Sequence, residues 1–189
     1  MKAETTNALD VNSEPSKASE TELSPVNWRH TLELWTFAML KVPLLMFTRP
    51  RVRTVCSDRY ELSIDLARRT KNPYGSMYFG AMAVGAEATP MAHALVIARS
   101  MGKTAFFTTK RVAVQFLAPA KAEVTFRSDD GDNVHAALLQ AMEDNRAAPA
   151  QVRVAALCAD RPVALFDFEL ALKIIGSTAA VRLQRFAEG

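Results

Sequence analysis

The residue best placed to do chemistry in this chain is Glu87. No lysine or arginine lies between Lys71 and Arg99, so the carboxylate has no ion-pair partner along its own segment. Its neighbours are small or apolar. A charge on such a surface is either functional or costly. Burial there would favour the neutral form, which suits a base working near neutral pH. The plainer alternative is a carboxylate on the solvent-facing edge of a half-buried helix.

The segment that must position it, residues 72–99, opens on Asn-Pro-Tyr-Gly, a turn signal. It continues as a small-residue, apolar run that predicts a helix of about 24 residues. Met77, Ala81, Val84, Ala88 and Met91 share one stripe at spacings of three and four, and Ser76, Gly80, Ala83 and Glu87 share a neighbouring one. The second stripe is almost bare of side chains, so other backbone can approach it closely. Pro90 removes a backbone N–H and clashes with the carbonyl of Ala86, so a kink or break is expected there.

The rest of the chain reads as a frame for that helix. Residues 1–25 are polar and predict a flexible tail without the apolar core of a signal peptide. Residues 26–50 form an amino-terminal helical segment. Within it, residues 28–47 predict a helix with Trp28, Leu32, Trp35, Met39 and Val42 on one face. Lys41 and Pro43 interrupt it well short of the roughly 20 apolar residues that span a bilayer. It reads as a cover packed over the domain, or as a lid or membrane-surface helix followed by Arg49, Arg51 and Arg53.

Residues 51–176 are the expected main domain. Strands are predicted over 52–66, 104–117, 123–127, 151–158 and 163–175, with a short amphipathic helix over 134–145 and a turn at Asp160-Arg161-Pro162. Short connections between consecutive strands predict antiparallel pairing. Residues 177–189 are a tail or short helix. The class is α+β: one long apolar helix against an antiparallel sheet, with an extra amino-terminal helix.

Composition narrows the function. With 189 residues, 49% of them apolar, the chain can bury a sizeable core. A net charge of +3 without a basic, aromatic-interleaved stripe speaks against nucleic acid as a partner. Cys56 and Cys158 lie in apolar, strand-like runs and are expected to be buried thiols in a reducing cytoplasm. His30, His93 and His135 lack the spacing of a metal pair, so no metal is expected. Gly102-Lys103-Thr104 imitates the end of a phosphate loop, but Ile97 stands where its first glycine belongs. The acids around Gly131 lack calcium-loop spacing and read as a solvated turn.

Two stretches carry a family resemblance. Asn72-x-x-Gly75, then Gly80, then Glu87 seven residues later, is similar to the spacing of Asn, Gly, a His-Gly-Gly run and an acid in hotdog-fold thioesterases. The stretch Val112-Ala113-Val114-Gln115-Phe116-Leu117-Ala118-Pro119 resembles their strand ending in Phe-x-x-Pro. The likeness is to the phenylacetate-type enzymes and to a related branch known as a domain of unknown function. It implies a hotdog fold, with a central helix wrapped by a curved antiparallel sheet. Tyr78 and Phe79 stand where those enzymes have His and the first Gly.

The resemblance implies an acyl-CoA thioesterase that releases free acid and CoA without a cofactor. Its site would be shared across a homodimer, alone or as a dimer of dimers. Glu87 would act as base, and Asn72 would orient the water or the thioester. Gly75, Tyr78, Phe79 and Gly80 would bound the substrate, with free N–H groups at the helix start receiving the carbonyl oxygen. Arg68, Arg69, Lys71, Lys103, Lys110 and Arg111 are the candidates for the CoA phosphates. The rival reading is a non-catalytic hotdog protein that binds a fatty acyl or other lipid ligand. A dehydratase ranks third, because no histidine sits at the helix start.

Overall fold

The computed structural model describes residues 25–175. Most of the amino-terminal tail and the expected carboxy-terminal segment after Ile175 lie outside the described residues.

The elements in chain order are α1 (Trp28–Lys41), α2 (Pro43–Thr48), β1 (Arg51–Val55), β2 (Tyr60–Ile64), α3 (Phe79–Ser100), β3 (Thr104–Phe116), β4 (Val124–Ser128), α4 (Gly131–Glu143), β5 (Ala148–Cys158) and β6 (Arg161–Ile175). The strands form one sheet in the order β1-β2-β4-β5-β6-β3, with every neighbouring pair antiparallel. The long helix α3 lies against this sheet, as expected.

Several local readings change. The amino-terminal helix is two helices, because Val42 leaves helical geometry (φ −139°, ψ 73°) and Pro43 starts a new turn. The single strand expected over 52–66 is a hairpin, β1 and β2, turning at residues 56–59. Cys56 therefore sits exposed in a turn, and only Cys158 is partly buried in a strand. Pro90 does not break α3, which runs on to Ser100. Gly102 (φ +67°) then turns the chain, with Gly102 N–H donating to Arg99 O and Lys103 N–H to Ala98 O. The expected turn before β6 is made by Ala159 and Asp160, both at positive φ, and Arg161 and Pro162 already belong to the strand.

The core lies between α3 and one face of the sheet. Alternation along β5 and β6 sends Val152, Val154, Phe166, Phe168, Leu170 and Leu172 inward, where Leu62, Ile64, Val124 and Phe126 join them. The closest approach is at Gly85, where an added Cβ would sit 2.6 Å from Phe126 Cζ. Sequence reasoning gave that role to the stripe of Gly80 and Ala83. Those two residues are half-exposed, and a Cβ on Gly80 would meet only the ring of Tyr78.

The other sheet face is polar. Glu61, 5% exposed, accepts from Arg127 Nε (2.5 Å) and Thr54 Oγ1 (2.7 Å), so its buried charge is paired. Arg53 bonds Glu123 (2.6 Å) and Arg51 pairs with Asp65. Across β5 and β6, Arg153 pairs with Asp167 (2.6 Å). Two of the acids expected to be a solvated turn also bond neighbouring strands or turns. Asp129 pairs with Arg59, and Asp130 accepts the Arg153 backbone N–H at 2.6 Å. Among the described residues, no three His, Cys, Asp or Glu side chains gather as a metal site.

Candidate active site

The loop between β2 and α3 is held at fixed points. Thr70 Oγ1 donates to Asp65 O (2.6 Å) and accepts from Ala67 N–H (2.9 Å). Met77 N–H donates to Ala120 O and Tyr78 N–H to Thr70 O, each at 2.8 Å. These bonds fix where α3 begins.

Asn72 organises the turn between them. Its Oδ1 accepts from Tyr74 N–H (2.9 Å) and Ser76 N–H (3.1 Å), and its Nδ2 donates to Ser76 Oγ (2.9 Å). The second Nδ2 hydrogen has no partner among the described residues. Gly75 at φ +83° closes the turn in a conformation that glycine tolerates best. Asn72 is thus chiefly a brace for the loop, with one N–H left over.

The start of α3 is uncapped. Tyr78 is the N-cap in extended geometry, without a side-chain capping bond. Its carbonyl takes Ala81 N–H (3.0 Å) and Met82 N–H (3.1 Å), which leaves the Phe79 and Gly80 N–H groups without acceptors among the described residues. These donors belong to the main chain, so Tyr and Phe in place of His and Gly do not remove them.

Those substitutions alter the space beside the donors. Phe79 is 53% exposed and meets the edge of Phe116, with ring centroids 5.7 Å apart. Phe116 continues edge-on to buried Phe166 at 6.4 Å. A groove of about 440 Å³ runs here, lined by Asn72, Ser76, Phe79, Met82, Phe116 and Leu117 among others. The two stretches that carry the sequence resemblance therefore meet along one groove.

Glu87 does not line it. It is exposed, about 12 Å further along the helix axis, on the side that faces β3. Its Oε1 accepts a hydrogen bond from Thr109 Oγ1 at 3.0 Å. The burial expected for this carboxylate is absent in the single chain, and the solvent-facing alternative describes its position. Thr109 lies on another element, so sequence reasoning could not pair it with Glu87.

The six basic candidates fall in three places. Arg68, Arg69 and Lys71 share the loop that leads to Asn72, and Arg69 Nε is buried without a partner among the described residues. Lys110 and Arg111 directly follow Thr109 on β3, with Arg111 bonded to Glu169 at 3.3 Å. Lys103 sits past the far end of α3, about 33 Å from its start, and belongs with neither group.

His93 is a packed histidine. It is fully buried, its ring 5.6 Å from that of Tyr60, and its Nε2 lies 3.0 Å from the carbonyl of Cys56. That carbonyl accepts, so Nε2 carries the proton and Nδ1 has no partner among the described residues. Burial holds the imidazole below its ordinary value of 6.5.

A family model described as Domain of unknown function (DUF4442) matches residues 32–164. No curated protein matches the chain. Among solved structures, a candidate thioesterase from Shewanella oneidensis is similar with a TM-score of 0.67 at 14% identity, covering 77% of this chain and 98% of that one. A Pseudomonas aeruginosa protein of unknown function, named as a probable thioesterase, gives a TM-score of 0.64 at 19% identity, covering 81% and 99%. A thioesterase from Haemophilus influenzae gives 0.50 at 15% identity, covering 68% and 80%. Likeness at such identities speaks for the architecture. The chain belongs to the DUF4442 family and has the hotdog fold.

Proposed function

We propose that this protein is an acyl-CoA thioesterase that works as a homodimer with its sites shared between copies. The observation that carries the reading is the uncapped start of α3, where two unpaired N–H groups lie beside an apolar groove. Donors fixed in this way suit an oxygen that gains negative charge, and the helix dipole adds to the effect. The thioesterase names of the similar structures support the same chemistry.

A base is missing at that position in one chain. Glu87 lies on the open side of α3, next to β3, an edge strand of the sheet. An edge of 13 residues with Phe106, Val112 and Phe116 about half exposed favours pairing with a second copy. Such pairing would bring each Glu87 towards the other copy's groove. Glu87 then takes a proton from water as the water oxygen adds to the thioester carbonyl. The oxyanion rests on the Phe79 and Gly80 N–H groups. Collapse breaks the C–S bond, and the departing thiolate takes the proton from the Glu87 carboxyl.

Arg68, Arg69 and Lys71 are offered to the CoA phosphates from the groove side, and Lys110 and Arg111 lie on β3, whose Thr109 bonds Glu87. Dimers can pair further into a dimer of dimers. A cytoplasmic setting fits both acyl-CoA supply and the unpaired Cys56 and Cys158.

The alternative, a non-catalytic acyl or lipid binder, is favoured by one feature: the bulky Phe79 ring, set edge-on against Phe116, takes up space in the groove that both line. A panel of acyl-CoA esters assayed for free thiol decides. Turnover of at least one ester, lost in Glu87→Gln, supports the enzyme. Binding of an acyl ligand without any thiol release would establish the binder instead.

A further inference from the structure

The amino-terminal helices carry an apolar surface that the fold does not use. Their inner face is accounted for. Leu34, Ala38 and Leu45 are buried, Thr31 Oγ1 accepts Val52 N–H (2.9 Å), and Trp35 Nε1 donates to Pro50 O (2.6 Å). The outer face holds Trp28, Leu32, Met39, Leu40, Leu44 and Phe47, each more than half exposed. Together they give the outer side of α1 and α2 a large apolar strip, broken on α1 by Arg29 and Thr36, where a solvated helix would carry mostly polar residues.

The charges around this strip are mostly cationic. Arg29, Lys41 and Arg49 are exposed along it. The only carboxylate in residues 25–53 is Glu33, which is shared between Arg29 at 3.5 Å and Arg99 of α3 at 3.0 Å and so leaves the net charge of these helices positive. Arg51, read from sequence as part of a basic run here, is tied to Asp65 on the polar sheet face, and Arg53 is tied to Glu123. An apolar strip with a cationic border suits an anionic lipid surface, where aliphatic and Trp side chains enter the interface and Lys and Arg meet phosphates.

A second copy fits less well. A two-fold contact would set these cations against themselves. Residues 1–24 have few large apolar side chains with which to cover the strip. The strip also lies at the β1 end of the sheet, away from the β3 edge.

We infer that the outer face of α1 and α2 docks the protein on anionic membrane surfaces, lying in the interface without crossing it. The inference goes beyond hydrolysis and stands whether or not the groove is catalytic. Of the described helices, only α3 is long and apolar enough to span a bilayer, and most of it is buried in the fold.

The test is flotation of the full chain with phosphatidylcholine vesicles, with and without phosphatidylglycerol. Binding is expected to require phosphatidylglycerol and to weaken as salt rises. Lys41→Glu is expected to weaken binding by at least about fivefold. The exposed double change Leu40→Glu with Leu44→Glu is expected to abolish binding while leaving the melting temperature and thiol release unchanged. Trp28 emission is expected to shift to the blue in anionic vesicles and not in neutral ones. The inference is overturned if the wild-type chain ignores anionic vesicles at low salt, or if the double variant floats as well as wild type. It is equally overturned if the double change lowers the oligomer mass in a chain that never binds vesicles, since the strip would then be a contact between copies.

Discussion

The two edges of the sheet are finished in opposite ways. At β1, Val52 N–H is taken by Thr31 and Val52 O by Asn27 N–H, so α1 covers the edge. At β3, a strand of 13 residues pairs with β6 on one side, and no described strand pairs on the other. Covering an edge suppresses unwanted pairing, whereas leaving a long apolar edge open invites it. The covered edge serves stability. The open edge runs beside Glu87, the carboxylate that the proposed chemistry needs and the single chain cannot deliver to its groove.

Breaking the open edge should have the largest effect. Val112→Asp puts a charge at a half-exposed position outside the groove. The expected result is a folded monomer by light scattering and circular dichroism, with thiol release at background. A monomeric variant that retained activity would show that the open edge has no part in catalysis.

Glu87→Gln comes next. It keeps the shape of the side chain and removes the base, so kcat should fall by about 10²-fold or more with KM little changed. Stability should not drop, because Glu87 is exposed and bonded only to a hydroxyl.

The inner packing should respond in stability alone. Gly85→Ala forces a Cβ into the ring of Phe126 and should cost about 1–3 kcal/mol by thermal or denaturant unfolding, with the dimer retained. A neutral result would mean that α3 can shift off the sheet at little cost.

The smallest effect is expected from His93, whose ring packs beside the β1–β2 turn. Its folded value lies below the ordinary 6.5, chiefly through burial, so the unfolded chain binds the proton more readily. Stability from the neutral ring is then complete above 6.5 and is lost as pH falls below it. Melting curves should decline more steeply on acidification for wild type than for His93→Gln. Equal slopes would place the acid sensitivity elsewhere.

Much of this arrangement was legible in the residues. Small residues at regular spacing marked α3, and alternation marked β6, because both signals are local. The hairpin at 56–59 was missed because apolar residues on both sides read as one strand across a turn with no glycine. The strand expected over 151–158 starts earlier, at Ala148, and Pro149 is tolerated there because β4 pairs with β5 only over residues 155–157, so that stretch has a neighbour on one side only. Gly85 was overlooked because its importance comes from Phe126, far away in sequence. The turn at Asn72, Gly75, Gly80 and the position of Glu87 were visible as spacing. That Glu87 stands outside the groove was not, since its position depends on β3 and on how far apart two points of one helix lie.

The central claim is that one site is built from two copies, and mixing two inactive variants tests it most directly. Glu87→Gln retains an intact groove. Asn72→Ala retains an intact carboxylate but removes the brace of the loop that sets the Phe79 and Gly80 donors, and so is expected to disable the groove. When the two are unfolded, mixed and refolded together, random pairing gives half mixed dimers, each with one undamaged shared site. The account predicts recovery of about a quarter of wild-type thiol release from an equal mixture. Mixed dimers that form but stay as inactive as either parent would contradict it.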